Sequence, residues 1–289
     1  MAQTLEFLTR QNATLTSIRG IVHTMKTLSA INASPYEQAA ISIEAYHQSI
    51  LQGFAAFAQR TGGLKLNQTT HTTRQQLLIV FGSDHGLCGS YNENLAAELK
   101  HYHQMQEQNK LQLICVGAQM SDALSDQNLT PNLLLMPPAS AEGIGRLASD
   151  LVAHIEAFSQ DQGLKNSSVS LAFTQRGEHQ TREPTTKNLL PLDPNLLTPK
   201  KNWPSRSLPD YSLEPEALLS ALVRNHLFAS VFRASAEAMV TENAARLALM
   251  QQAEQSVDEH LEEVEGELRY VRQTEITNEL MDVIIGHLE

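Results

Sequence analysis

Residues 250–271 read MQQAEQSVDEHLEEVEGELRYV. Met250, Ala253, Val257, Leu261, Val264, Leu268 and Val271 hold the apolar positions, and Glu, Gln and Asp fill most of the rest. These residues advance in six steps across 21 positions, an average of 3.5, which is the repeat of a coiled coil. So narrow a stripe needs another helix to cover it. From Pro215 to Leu288 there is no further proline, and Gly266 and Gly286 are the weak points, so the spacing predicts a second long helix over 215–289.

The covering helix is found at the other end of the chain. Leu5, Leu8, Leu15, Ile18, Val22, Met25 and Leu28 recur mostly at steps of three and four, which is helical periodicity. Pro35 falls inside this segment and predicts a kink or local loosening. The pattern resumes through Ile43, Ile50, Phe54 and Phe57, and Gly62 and Gly63 stop it. Each end carries a narrow apolar stripe, so the two are expected to pair as an antiparallel coiled coil, with a domain between them that returns the chain. A plain helical bundle is the alternative, but bundles favour short loops and shorter helices.

The middle has a different rhythm. Gln76–Phe81 is a short apolar run ending in a Gly-rich turn, and Leu111–Gly117 and Val169–Phe173 are runs of the same kind, the habit of buried parallel strands. Helical patterns over Asn92–His103 and Ala141–Phe158 alternate with them, which predicts a Rossmann-like α/β domain with a parallel sheet and right-handed crossovers. Between Gln175 and Pro215 the chain is rich in Pro, Asn and Lys, and short strands and loops are expected without a fixed order. The predicted division is an N-terminal coiled-coil helix over 1–60, the α/β domain over 61–214 and the C-terminal helix over 215–289.

Composition narrows the functional classes. The formal net charge of −11 removes the basic footprint that supplies most non-specific nucleic-acid affinity. No basic segment leading into an apolar core opens the chain, and no run approaches the ~18 apolar residues of a spanning helix, so membrane association is expected only through partners. Cys88 and Cys115 form no CxxC and no zinc spacing with histidine, which points to two buried thiols in a reducing compartment.

Several segments resemble one known family, the gamma subunits of F-type ATP synthases. Gly82-Ser83-Asp84-His85-Gly86-Leu87-Cys88-Gly89-Ser90-Tyr91-Asn92 is similar to the family's S/T-D-R-G-L-C-G-x-x-N turn, with His85 where the family has Arg. Arg272-Gln273-Thr274-Glu275-Ile276-Thr277-Asn278-Glu279-Leu280 is similar to its C-terminal R-Q-x-x-I-T-x-E-L. Glu242–Arg246 resembles its E-x-A-A-R element, Ile21–Met25 matches I-T-x-A-M more loosely, and Tyr211–Pro215 is similar to the family's approach to the last helix. The C-terminal match is the most specific, because its residues agree together with their place at the end of a coiled coil.

The resemblance implies a non-catalytic central shaft without a cofactor. Its coiled coil would stand inside a ring of alpha and beta subunits that carry the nucleotide sites. Its α/β domain would rest on the rotor of c subunits beside the epsilon subunit, at the cytoplasmic face of the membrane. Met25, Arg246, Arg272, Gln273, Thr277 and Glu279 would touch the surrounding ring, and Asp84, Gly86, Leu87, Cys88 and Gly89 would form the motif turn. The chain also departs from the family. No Lys or Arg stands between Lys26 and Arg60, where the family's first helix carries a basic cluster, which suggests a divergent or alternate member.

Other chemistry finds little support. The turn over 82–89 lacks G-x-x-x-x-G-K-[ST] and G-x-G-x-x-G, so Gly86 and Gly89 are expected to relax a tight turn while Asp84 caps backbone donors. His101 and His103, two apart on a helix, face different ways and make a poor metal pair. Spacing alone also allows Arg246 to pair with Glu242 and Arg272 with Glu275 on an exposed helix, contacts worth ~0.3–0.5 kcal/mol. The rival from another class is a coiled-coil scaffold whose α/β domain binds a small ligand by itself.

Overall fold

Leu77, Leu78, Ile79, Val80 and Phe81 are all essentially buried, so the strand they form must be covered on both faces. The computed structural model describes residues 2–63, 75–104, 110–162, 167–177, 181–199, 207 and 210–286. In it β1 (Gln75–Phe81) is the centre of a five-stranded sheet. The others are β2 (Lys110–Val116), β3 (Leu133–Leu135), β4 (Ser167–Arg176) and β5 (Arg182–Leu190), in the order β3-β2-β1-β4-β5. The first four run parallel, with Ile79 level with both Ile114 and Leu171.

The alternation of side chains divides the core into two layers. Leu78, Val80, Leu113, Cys115 and Ala172 face α2 (Tyr91–Gln104) and α3 (Ala118–Asp126), meeting Leu95, Leu99, Met120 and Leu124. Leu77, Ile79, Phe81, Ile114 and Leu171 face α4 (Ile144–Gln162) and the last helix, α5 (Pro215–Gly286). A fully buried Leu or Ile here contributes about 2 kcal/mol of transfer free energy. With α2 and α3 on one face and α4 on the other, the direction in which successive strands are added reverses between β1 and β4, which is the switch point of a doubly wound sheet.

One strand departs from the expected parallel sheet. β5 is antiparallel to β4, pairing Arg182 with Arg176 and Leu190 with Val169. Its sequence, REPTTKNLL, is polar because the strand lies at the sheet edge and is only partly covered. The short β3 and the helix α3 before it were also beyond the sequence patterns. Of the region from Gln175 to Pro215, residues 178–180, 200–206 and 208–209 lie outside the described residues, as do Leu288 at the end of the predicted C-terminal helix and its neighbours 287 and 289.

The first helix, α1 (Ala2–Thr61), is helical throughout and carries Pro35 in its interior. Proline there removes the N–H that would bond the Ile31 carbonyl, and its ring crowds that carbonyl. The chain forms two compact units, Met1–Ile31 with Arg246–Glu289 and Asn32–Ala245. In the first, α1 and α5 pair antiparallel. Leu8 packs with Val264 and Leu268, Arg19 Nε lies 2.7 Å from Asp258 Oδ1, and Lys26 and His23 both reach Glu254. Leu8, Leu15, Val22 and Ser29, at seven-residue intervals, trace the seam. Ile18 and Leu28 do not lie in it. They are 40% and 52% exposed, and Leu28 is turned about 100° from Ser29 on the helix.

In the second unit the helices also run antiparallel. Tyr36 and Ala40 of α1 meet Ala236 and Val240 of α5, while Ile43, Ile50, Phe54 and Phe57 pack with Leu218, Leu222 and Ala229.

Candidate functional site

The motif turn leaves β1 at the switch point, where doubly wound sheets commonly hold ligands. Its framework is a buried polar knot. The Ser83 N–H donates to Asn92 Oδ1 at 3.0 Å, and Asn92 Nδ2 donates to Ser83 Oγ at 2.7 Å. Cys88 Sγ lies 3.4 Å from Ser83 Oγ and 3.8 Å from Asn92 Nδ2. Asn92 stands in the first turn of α2, so the strand end and the helix start are joined by one side chain.

Asp84 performs the expected capping, since its Oδ1 accepts from the Ala118 N–H at the start of α3, at 3.3 Å. The left-handed positions are Leu87 (φ 63°) and Gly89 (φ 64°), whereas Gly86 does not adopt positive φ, which corrects its expected role. Cys88 is buried, and Leu87 is 53% exposed. Gly117, missed by the sequence reading, seals the next turn. At φ 109°, a Cβ there would stand 2.5 Å from the Ser83 carbonyl oxygen.

The crevice above the turn is already filled, by α5. The Tyr91 hydroxyl donates to the Ala238 carbonyl at 2.9 Å and lies 3.2 Å from Thr241 Oγ1. Thr241 Oγ1 is 2.9 Å from the carbonyl of Thr174, near the end of β4. Cys88, Tyr91 and Ala245 form a small apolar cluster beside these bonds. Burial drives the Tyr91 pKa well above that of an ordinary phenol, so this hydroxyl stays a neutral donor. Burial, with a smaller push from Asp122, raises the Cys115 thiol to about 12. Among the described residues no cluster of His, Cys, Asp or Glu could hold a metal, and no helix is long and apolar enough to cross a membrane.

The predicted contact residues lie apart from this turn. Arg272, Gln273, Thr277 and Glu279 share the last turns of α5 and are all exposed. Thr277 Oγ1 donates back to the Gln273 carbonyl at 2.8 Å, an ordinary helical bond. Among the described residues no ion pair joins Arg272 to Glu275, so that alternative is not realised. The same stretch bears Ile276 and Leu280, each 58% exposed, with Met281, Val283 and Ile284 also open. Met25 and Arg246 are partly buried.

A second polar cluster was invisible in the sequence. Arg176, the last residue of β4, binds Glu237 of α5 through Nε at 2.9 Å and Nη2 at 3.3 Å. Its Nη1 reaches Glu37 of α1 at 2.9 Å. Beside it Arg233 pairs with Glu44 at 2.9 Å, and the two arginines flank an open groove of about 400 Å³. Partners 61 and 139 residues apart leave no local pattern to read.

Comparison with known proteins agrees with this architecture. The family model described as ATP synthase matches residues 4–287. An ATP synthase gamma chain from Trichlorobacter lovleyi is 25% identical, over 98% of this chain and 97% of its own length. One from Polynucleobacter necessarius is 27% identical, over 88% and 85%. Among solved structures, a chain of the Euglena gracilis mitochondrial ATP synthase rotor superposes with a TM-score of 0.62 at 15% identity, covering 96% of this chain and all of that one. A chain of the Tetrahymena thermophila mitochondrial central stalk and c-ring gives 0.57 at 20% identity, covering 81% and 99%. Matched along nearly its whole length, the chain belongs to the ATP synthase gamma-chain family.

Proposed function

We propose that this chain is the central rotary shaft of an F-type ATP synthase, non-catalytic in itself, which couples ion-driven rotation to nucleotide turnover in a surrounding ring of alpha and beta subunits. The carrying observation is the C-terminal end of α5, where Arg272, Gln273, Thr277 and Glu279 are exposed beside Ile276 and Leu280, a mixed surface suited to a partner. In this reading Met25 and Arg246 also meet the ring, 1–60 and 215–289 are the shaft segments, and 61–214 rests on the c-subunit rotor beside epsilon. The complex stands at the cytoplasmic face of the membrane, which the chain reaches only through partners. An asymmetric shaft presents a different face to each beta subunit as it turns, and differential contact then biases each subunit's open or closed state.

The filled switch point counts against the rival, a scaffold with its own small-ligand site. A ligand there would have to displace the Tyr91, Ala238 and Thr241 contacts. Co-expression with candidate alpha and beta subunits tests the proposal, the expected product being a stable complex with ATPase activity. Failure to assemble, or ATP hydrolysis by the purified chain alone, would overturn it.

A further inference from the structure

The side of α5 that lies on the sheet is apolar. Leu227, Val231, Ala234 and Ala238, with the partly buried Val223, Phe228 and Phe232, belong to the cluster on the sheet's apolar face, and the hydrophobic attraction that holds them there is itself non-directional. Directional bonds add angular definition to this packing. They are found at the ends of β1 and β4, where Tyr91 and Thr241 join the turn to α5 and Arg176 joins β4 to both long helices.

Arg176 is unusual in that its main chain and side chain are held by the same carboxylate. Its backbone N–H donates to Glu237 Oε1 at 3.0 Å, and its Nε donates to the same oxygen at 2.9 Å. Glu237 is only 16% exposed, and the remaining arm of the guanidinium reaches Glu37 on α1. Planar, bidentate pairing of this kind fixes angle as well as distance, which a lysine ammonium does not. A strand end is thereby tied at once to both helix segments of its unit.

We infer that Arg176, with Glu237 and Glu37, is a positioning residue for torque transfer, locking the sheet to α1 and α5 so that the two turn as one body. The inference rests on the shaft reading. A torsional load acts between the sheet and the helices, and the guanidinium bonds oppose it. The lock takes no part in nucleotide chemistry and matters only under load.

The test uses the complete complex in sealed vesicles, with ATP hydrolysis and a membrane-potential dye followed together. The parent complex must first assemble, hydrolyse ATP and charge the vesicles; if it does not, the shaft reading itself fails, whatever Arg176 does. With Arg176→Gln and, separately, Glu237→Gln, hydrolysis by the detached, unloaded complex should stay at the parent rate. The potential generated per ATP should fall below that of the parent complex. Arg176→Lys, which keeps the charge and loses the fork, should recover part of the loss. Unchanged potential per ATP in both Gln variants would overturn the inference. So would unloaded hydrolysis that falls in parallel, because a merely structural role predicts that pattern.

Discussion

Asn92 holds Ser83 at two points, accepting its N–H at 3.0 Å and donating to its hydroxyl at 2.7 Å. Both residues are buried, so neither bond can be replaced by water without rearrangement. Asn92→Ala should therefore destabilise the α/β domain by about 1–3 kcal/mol, the cost of orphaning a buried donor. Chemical denaturation of the full chain gives the value. A loss near zero would show that the knot is dispensable.

Leu268 packs with Leu8 and Val264 in the seam of the first unit. Leu268→Asp would bury an unpaired carboxylate there and should cost roughly 3 kcal/mol. Hydrogen exchange should speed up across 261–271 while β1 and β4 keep their protection. Equal loosening of both regions would contradict the picture of a separately cohesive seam.

The rings of His47 and His226 stack at 5.1 Å, with Nε2 and Nδ1 3.1 Å apart, so one must accept from the other. Burial first, then the neighbouring His47, lowers the His226 pKa from 6.5 to about 4. Burial also lowers His47, opposed by Glu44 and assisted by Arg233. On acidification the unfolded chain takes up the proton first, so this contribution is complete above the ordinary histidine value and is lost as pH falls from 6.5 towards about 4. The loss should be on the order of 2 kcal/mol after allowance for solvent screening. His226→Gln should flatten the acid limb of a stability–pH curve, and an unchanged limb would remove the pair from the account.

Neither Cys88 nor Cys115 is in a disulfide, both are buried, and the Cys115 thiol is raised to about 12 by burial. Thiolate is the reactive form, so a disulfide-exchange reagent at neutral pH should label neither residue at an appreciable rate until denaturant is added. Activity of the assembled complex should not change with dithiothreitol. A reversible redox response would contradict this.

Arg272 and Gln273 make their side-chain contacts, on the shaft reading, with a partner. Replacing both with Ala should leave the isolated chain as stable as before, because exposed helical positions contribute little. Coupled ATPase activity of the complex should fall roughly tenfold, since hydrogen bonds to a charged guanidinium matter most when desolvated. A destabilised chain would favour an internal role, and full activity would remove the contact role.

Much of the fold was legible because it depends on local pattern. β1, β2 and β4 are continuous apolar runs, as strands buried on both faces must be, and the repeat from Met250 to Val271 marks the seam directly. β5 falls where short strands were expected but could not be placed, because an edge strand needs little apolar character and REPTTKNLL has little. On α1, residues three and four apart were grouped into one stripe, which merged seam positions such as Val22 with the exposed Leu28. In the turn, the Asp84 cap could be anticipated from residue type, whereas the left-handed Leu87 could not. The bonds of Tyr91 and Arg176 to α5 depend on tertiary arrangement, and no sequence window contains both partners.

The crowding of the switch point by Ala238, Thr241 and Ala245 has a consequence for how the protein responds to the cell. In related sheet architectures this crevice is open to soluble metabolites, and occupancy follows their concentration. Here α5 of the same chain takes that place through Ala238, Thr241 and Ala245. A soluble metabolite could enter this crevice only by displacing those contacts. On the shaft reading, ATP abundance is then felt mechanically, through the alpha and beta subunits around the helices.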